Sequence, residues 1–161
     1  YAYFTYNSDL TSILLNQCTS SDSLYVQSND ALTALNIDML ESINGDFNVE
    51  SNALIEELQA PSLDAIQSYL RLSNNSLLQD VSFPALINAG SITIQQNSLL
   101  NSVDVSAVET INGTLYVYIN PQLQSLSLPA LTSVTGTIQL QQSPLATVDL
   151  SSLESMAFCQ K

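Results

Sequence analysis

An all-β fold wound as a parallel solenoid of about seven coils is what this sequence predicts, and three observations carry the prediction. A six-residue phrase recurs along the chain: Leu24-Tyr-Val-Gln-Ser-Asn29, Phe47-Asn-Val-Glu-Ser-Asn52, Leu70-Arg-Leu-Ser-Asn-Asn75, Ile92-Thr-Ile-Gln-Gln-Asn97, Leu115-Tyr-Val-Tyr-Ile-Asn120 and Ile138-Gln-Leu-Gln-Gln-Ser143. The starts lie 22 or 23 residues apart, a period typical of repeat architectures. Apolar residues also recur within each repeat. With the first residue of the phrase as position zero, they fall at offsets 0, 2, 8, 11, 13, 16 and 19, with one-residue slips at single corners. None of these positions in the six repeats carries a charged or amide side chain. A single repeat cannot bury such a face, but stacked repeats place like on like and make a continuous core.

Taken in order, each coil opens with the pair at offsets 0 and 2, which alternates apolar with polar as a half-buried strand does. Asn at offset 5 ends it, and Pro121 and Pro144 at offset 6 mark the same corner. The pair at offsets 11 and 13 predicts a second strand, closed by Pro61, Pro84 and Pro129 at offset 14. Proline lacks the donor a ladder needs and so belongs at bends. A third short strand is expected near offsets 19 to 21. Gly45, Gly90, Gly113 and Gly136 follow, where freedom to adopt positive φ would let the chain turn. No stretch sustains a helical period free of such breakers.

The chain of 161 residues reads as one domain, residues 1–161. Residues 1–23 hold a degenerate first coil, with Ala2-Tyr-Phe-Thr-Tyr-Asn7 as a weaker copy of the phrase, and residues 24–161 hold the regular coils. At the sheet spacing, seven coils stack to a rod about 30 Å long. Starting at Tyr1 with no signal-type apolar segment, the chain is expected to be part of something longer.

The phrases Leu126-Ser-Leu-Pro-Ala-Leu-Thr-Ser-Val-Thr-Gly-Thr-Ile138 and Val108-Glu-Thr-Ile-Asn-Gly-Thr-Leu115 resemble the receptor L domain, above all the version found in fungal GPI-anchored cell-wall proteins. The likeness covers residues 24–156. It implies a right-handed β-helix related to leucine-rich repeats, a family used by animal growth-factor receptors for ligand recognition, and a full-length protein held at the cell surface by a GPI anchor. It implies no catalytic residue. The family's ends are usually closed by disulfides, whereas here one Cys lies near each end. An ordinary leucine-rich repeat also fits Leu-x-Leu-x-x-Asn, but the second segment reads as strand and the prolines would interrupt a helix.

Composition narrows the function classes. Fifteen acidic residues face two basic ones, Arg71 and Lys161, for a net charge of −13. Nucleic acid binding needs phosphates neutralised by clustered Lys and Arg, so no nucleic acid partner is expected. Docking on anionic lipid is disfavoured on the same ground, and no apolar run is long enough to insert in a membrane. With no His, the commonest general base and metal ligand is missing, and neither cofactor nor metal is expected.

Outward positions at offsets 1 and 3 are Tyr25/Gln27, Asn48/Glu50, Arg71/Ser73, Thr93/Gln95, Tyr116/Tyr118 and Gln139/Gln141. They make a flat polar and aromatic face, and a recognition site for glycan or protein is placed there around Tyr25, Arg71, Tyr116 and Tyr118, because tyrosine joins an apolar ring to a polar tip. The competing account is plain cross-strand packing of good strand formers. The Asn column is read as a structural ladder. Adjacent Glu56 and Glu57 are expected to point to opposite faces, and Asp104 and Asp149 to share a column with Ser127 between them, so no catalytic pair is assigned.

Sequons at Asn74-Asn75-Ser76 and Asn112-Gly113-Thr114 make Asn74 and Asn112 candidate glycosylation sites. Cys18 and Cys159 belong to the first and last coils, about six rungs or 29 Å apart. That is far beyond the roughly 7 Å a disulfide spans. Each is expected to bond a flanking segment or a neighbouring molecule. The aromatic first coil and the last coil carry no polar cap and are expected to meet flanking domains or neighbouring subunits. The sequence thus points to a non-enzymatic, extracellular structural and adhesive module of a cell-surface or cell-wall protein, self-associating through its ends. The alternative is a ligand-binding receptor ectodomain using the outward Tyr/Gln face.

Overall fold

The computed structural model describes residues Tyr1–Ala157, and these form an all-β parallel solenoid of about seven turns with no helix. The first strands of the coils are Ala2–Thr5, Leu24–Gln27, Phe47–Glu50, the later part of Ala65–Ser73, the later part of Asn88–Gln95, Leu115–Tyr118 and Ile138–Gln141. Each pairs in parallel with the equivalent strand of the next coil, so Leu24, Phe47, Leu70, Ile92, Leu115 and Ile138 lie in one column. The third strands occupy offsets 18 and 19, as in Ser42–Ile43 and Thr110–Ile111. In Ala65–Ser73 and Asn88–Gln95 a third strand runs unbroken into the next first strand, which fuses both rows into one 12-stranded sheet.

The second strands behave differently. Glu57–Gln59, Asp80–Ser82, Ser102–Asp104, Ser125–Ser127 and Thr147–Asp149 make a five-stranded sheet, while Ser12–Leu14 and Ala34–Asn36 make a separate two-stranded one. The row is therefore split between the second and third coils.

Inside, the predicted inward positions of the middle coils are almost wholly buried, from Leu24 and Val26 to Leu131 and Val134. Each such Leu, Ile or Val contributes roughly 1.5–3 kcal/mol by leaving water, most of it offset by chain ordering. Volumes compensate across the core. Where offset 0 is Phe47, offset 13 of the same coil is Ala60, and in the next coil Phe83 takes offset 13 and meets Phe47 at a ring-centroid distance of 6.1 Å. The terminal coils are less covered: Ile138 and Leu140 are half-buried and Val148 is 41% exposed.

Two corners differ from the sequence expectation in their physics. None of the four glycines has positive φ. A Cβ on Gly136 would stand 2.6 Å from the Gly113 carbonyl oxygen one coil below, so the glycines permit close stacking of the coils and not a left-handed turn. Gly90 also makes the 22-residue coil, standing opposite both Gln67 and Ser68 where the register shifts. The left-handed residues sit instead at offset 4: Tyr6, Ser28, Ser51, Asn74, Gln96, Ile119 and Gln142, with φ between 50° and 59°.

That conformation turns the following Asn inward, and the ladder is directional. Asn52 Oδ1 accepts from the Asn29 N–H at 3.2 Å while Asn52 Nδ2 donates to the Val26 carbonyl at 2.8 Å. Asn75 repeats this with Asn52 N–H and Val49, and Asn120 with Asn97 N–H and Ile94. Each asparagine thus reaches back one coil. Asn29, Asn52, Asn75, Asn97 and Asn120 are fully buried. A left-handed non-glycine residue costs roughly 1–2 kcal/mol, and two or three buried hydrogen bonds at about 1 kcal/mol each offset it.

Candidate functional site

Parallel register places the outward residues of the first strands in two columns. One runs Tyr3, Tyr25, Asn48, Arg71, Thr93, Tyr116, Gln139, and the other Thr5, Gln27, Glu50, Ser73, Gln95, Tyr118, Gln141. The predicted site residues therefore share a face but not a site. Tyr25 and Arg71 stand two rungs apart with Asn48 between them, and Tyr116 stands two rungs beyond Arg71 with Thr93 between.

The first group encloses a concavity of about 150 Å³ lined by Tyr25, Asp46, Asn48, Tyr69 and Arg71. Asp46 is its centre. The residue lies in the corner after Gly45, where its N–H donates to Ser23 Oγ at 3.1 Å. Its carboxylate accepts from Tyr25 Oη at 2.8 Å and from the Tyr69 N–H at 3.3 Å. Partial burial pulls the Asp46 pKa upward, but hydrogen bonds from Ser68, Tyr25 and the Tyr69 backbone, with the charge of Arg71, outweigh it and hold the carboxyl below the usual aspartate range. The same hydrogen bond to Asp46, followed by burial, raises the Tyr25 phenol, so Tyr25 stays a neutral donor. On its other side the Tyr25 ring is stacked by Tyr3, with centroids 4.8 Å apart and planes within 3°. Asn48 Oδ1 is buried at the wall without a hydrogen-bond partner, and Arg71 is exposed.

Tyr116 and Tyr118 form a second feature, a stack of neighbouring outward side chains with centroids 5.6 Å apart. Both are half-buried against the sheet. In the second column Ser73 is fully buried although it faces outward, because its neighbours there, Glu50 and Gln95, are longer.

The remaining candidates resolve one by one. Asn74 and Asn112 are exposed, and Asn74 is the left-handed residue of its coil. Cys18 takes offset 16 of the first coil, the position of Leu40, Leu63, Leu86, Val108, Leu131 and Leu153 elsewhere, and packs half-buried against the core. Its Sγ donates to the Ser20 carbonyl at 3.2 Å. Cys159 and Lys161 lie outside the described residues.

Asp104, Ser127 and Asp149 do share a column. Asp104 caps its own turn, accepting from Ser106 N–H and Oγ at 3.1 and 2.7 Å, and Asp149 accepts from the Ser151 N–H at 3.0 Å, which with the Ser151 hydroxyl holds its carboxyl below the usual range. Glu56 and Glu57 do not point apart as expected. Glu56 precedes the strand Glu57–Gln59 at the corner, and both line one groove with Thr33 and Leu54. Among the described residues no group of three or more His, Cys, Asp or Glu is placed to hold a metal ion.

Compared with family models, curated proteins and solved structures, the chain matches none. What the face can do is thus read from its own chemistry. Sequence reasoning missed Asp46 and Tyr69, and a signal for them existed. The position before each first strand carries Ser23, Ser91, Thr114 and Thr137 in four other coils and Tyr1 in the first, so Asp46 and Tyr69 depart from a column made mostly of small hydroxyl residues.

Proposed function

We propose that the chain is a non-enzymatic, extracellular structural and adhesive module of a cell-surface or cell-wall protein, acting as a stiff spacer that joins further protein through the edge of its first coil. The observation that carries this reading is the state of that edge. Ala2–Thr5 pairs on one side only. Asn7 has no preceding coil among the described residues to bond, and its amide donates to its own Thr5 carbonyl at 3.1 Å and to Asn29 Oδ1, contacts its counterparts also make. Tyr1, Tyr3 and Tyr6 are 78%, 63% and 82% exposed there. An uncovered strand edge rich in apolar rings is a template for pairing, and proteins that do not use one blunt it with charge or proline. No basic residue or proline occurs in residues 1–23.

The resemblance to the receptor L domain supports the cell-surface setting, and exposed Asn74 and Asn112 are compatible with glycosylation there. A disulfide from Cys18 or Cys159 to a flanking segment or neighbour would fasten the ends. Sedimentation across a concentration series tests the proposal. Reversible association is expected for the chain, abolished by Tyr3→Lys with Thr5→Lys. A monodisperse monomer at every concentration, with both thiols free, overturns it.

A further inference from the structure

We propose that the concavity between Tyr25, Asp46, Asn48, Tyr69 and Arg71 binds a single residue of a neutral sugar, such as the terminal hexose of a glycan. This stands apart from the end-on association proposed above, since it uses the outward face and not the edge.

Size sets the first limit. The concavity of about 150 Å³ is open on one side, so it seats one ring and leaves whatever is attached to that ring outside. Hydrogen-bonding capacity sets the second. The ionised Asp46 carboxylate only accepts, and it still has capacity beyond the bonds from Tyr25, Ser68 and Tyr69. Arg71 only donates, with five N–H groups in a planar fork. Asn48 lies between the two elements that carry Tyr25 and Arg71, and its buried Oδ1 lacks a donor. Rotation about χ2, a soft torsion, would bring that planar amide to a ligand.

A hydroxyl both donates and accepts, so vicinal hydroxyls can serve the donor and the acceptors of this wall together. A carboxylate ligand would leave the Asp46 and Asn48 oxygens unused, and an ammonium would leave Arg71 unused.

Charge supplies the third argument. Arg71 is the sole basic side chain among the described residues of a chain with net charge −13, and Asp46 and Glu50 lie on the adjoining rung, on either side of Asn48. The field around the site repels anions, which removes uronic and sialic acids and leaves neutral sugars. Aromatic walls complete the match. The Tyr25 ring is fixed by its bond to Asp46 and by the Tyr3 stack, and the Tyr69 ring, 54% exposed, offers a flat apolar surface for the C–H face of a sugar. Tyr116 and Tyr118 lack this combination, having neither carboxylate nor guanidinium in the adjoining rungs.

The test is saturation-transfer NMR and titration with glucose, mannose, galactose and N-acetylglucosamine, with glucuronate as the anionic probe and ethanolamine as the cationic one. Arg71→Ala and Tyr69→Ala remove exposed side chains, and unchanged circular dichroism and denaturation midpoint establish that they fold. At least one neutral sugar is expected to bind, weakened by about tenfold in each variant, a loss of ~1.4 kcal/mol, and unchanged in Tyr118→Ala. Absence of binding by all four neutral sugars, binding indifferent to both variants, or preference for glucuronate or ethanolamine overturns the assignment.

Discussion

The row of first strands runs unbroken through all the coils, whereas the row of second strands parts between Ala34–Asn36 and Glu57–Gln59 and thins to one register pair, Asp104 with Ser127, two coils later. Both rows alternate apolar inward with polar outward, and at the split the inward residues on either side, Leu35 and Leu58, are buried, although Val103 beside the thinned pair is half-buried. Hydrophobic burial therefore does not explain the difference. The corners do. The first strand exits through the left-handed residue and the asparagine ladder, which bonds each coil to its neighbour by buried side chains. Both strands exit through a turn closed within its own coil, Leu32 N–H to the Asn29 carbonyl after the first and Leu40 N–H to the Ile37 carbonyl after the second, but only the first corner adds buried side-chain bonds between coils. Burial makes the solenoid compact; the ladder fixes one coil upon the next. The candidate sugar site and the tyrosine stack both lie on the row that the ladder holds.

The largest effect should come from breaking that ladder. Asn75→Ala leaves the Asn52 N–H buried without a partner and takes the side-chain donor from the Val49 carbonyl. The expected loss is about 2–4 kcal/mol, from roughly 1–3 kcal/mol for the orphaned N–H and about 1 kcal/mol for the bond lost at the carbonyl. Ser125→Ala in the exposed part of the second row should stay within about 0.5 kcal/mol. Chemical denaturation measures both, and hydrogen exchange at the Asn52 amide should speed up in the first variant only. Equal costs for the two substitutions would show that the corners do not separate the rows.

The period and the inward columns were legible in the sequence because burial repeats at each coil, and even the offset of Cys18 can be read from the leucines at offset 16. The ladder was legible as a column of Asn, but its direction was not, since reaching back to the previous coil depends on the left-handed residue before it. That residue is Tyr, Ser, Asn, Gln or Ile in different coils. No single residue type marks it, so only backbone geometry reveals it. Glycine misled for a related reason. The residue suits both positive φ and close backbone approach, and the sequence cannot tell which is in use. Of the candidate site, Tyr25 and Arg71 were found through their outward offsets, while Asp46 lies just ahead of its strand and Tyr69 at the bend where a third strand runs into a first, positions the offsets 1 and 3 do not cover.

A smaller effect, in the opposite direction, follows from the left-handed column. Ile119 holds φ 51° with a β-branched side chain, the least suited of the seven residues there. Ile119→Asn keeps the corner and relieves part of the strain, so a gain of about 1 kcal/mol is expected. The gain should appear as a higher denaturation midpoint. A loss would mean that the half-buried side chain of Ile119 contributes more by packing than the backbone costs, and the ladder corner would then rest on apolar contact as well.

The smallest effect tests repulsion inside the second row, on the rung beside the break. Glu57 stands directly opposite Asp80 in register, and Glu56 and Asp38 lie near the break. Like charges facing one another across paired strands are destabilising by a few tenths of a kcal/mol to about 1 kcal/mol. No lysine or arginine lies in the second strands to compensate. Glu57→Gln removes one charge and keeps the shape, and a gain of about 0.3 kcal/mol is expected at low salt. Screening shortens the reach of these charges to about 10 Å at 0.1 M salt and about 3 Å at 1 M, so the gain should shrink as salt rises. If instead the gain is the same at both, repulsion across the Glu57–Asp80 pair is not its source, and the turn at offset 14, where Pro61 has no N–H to give, becomes the cause to test next.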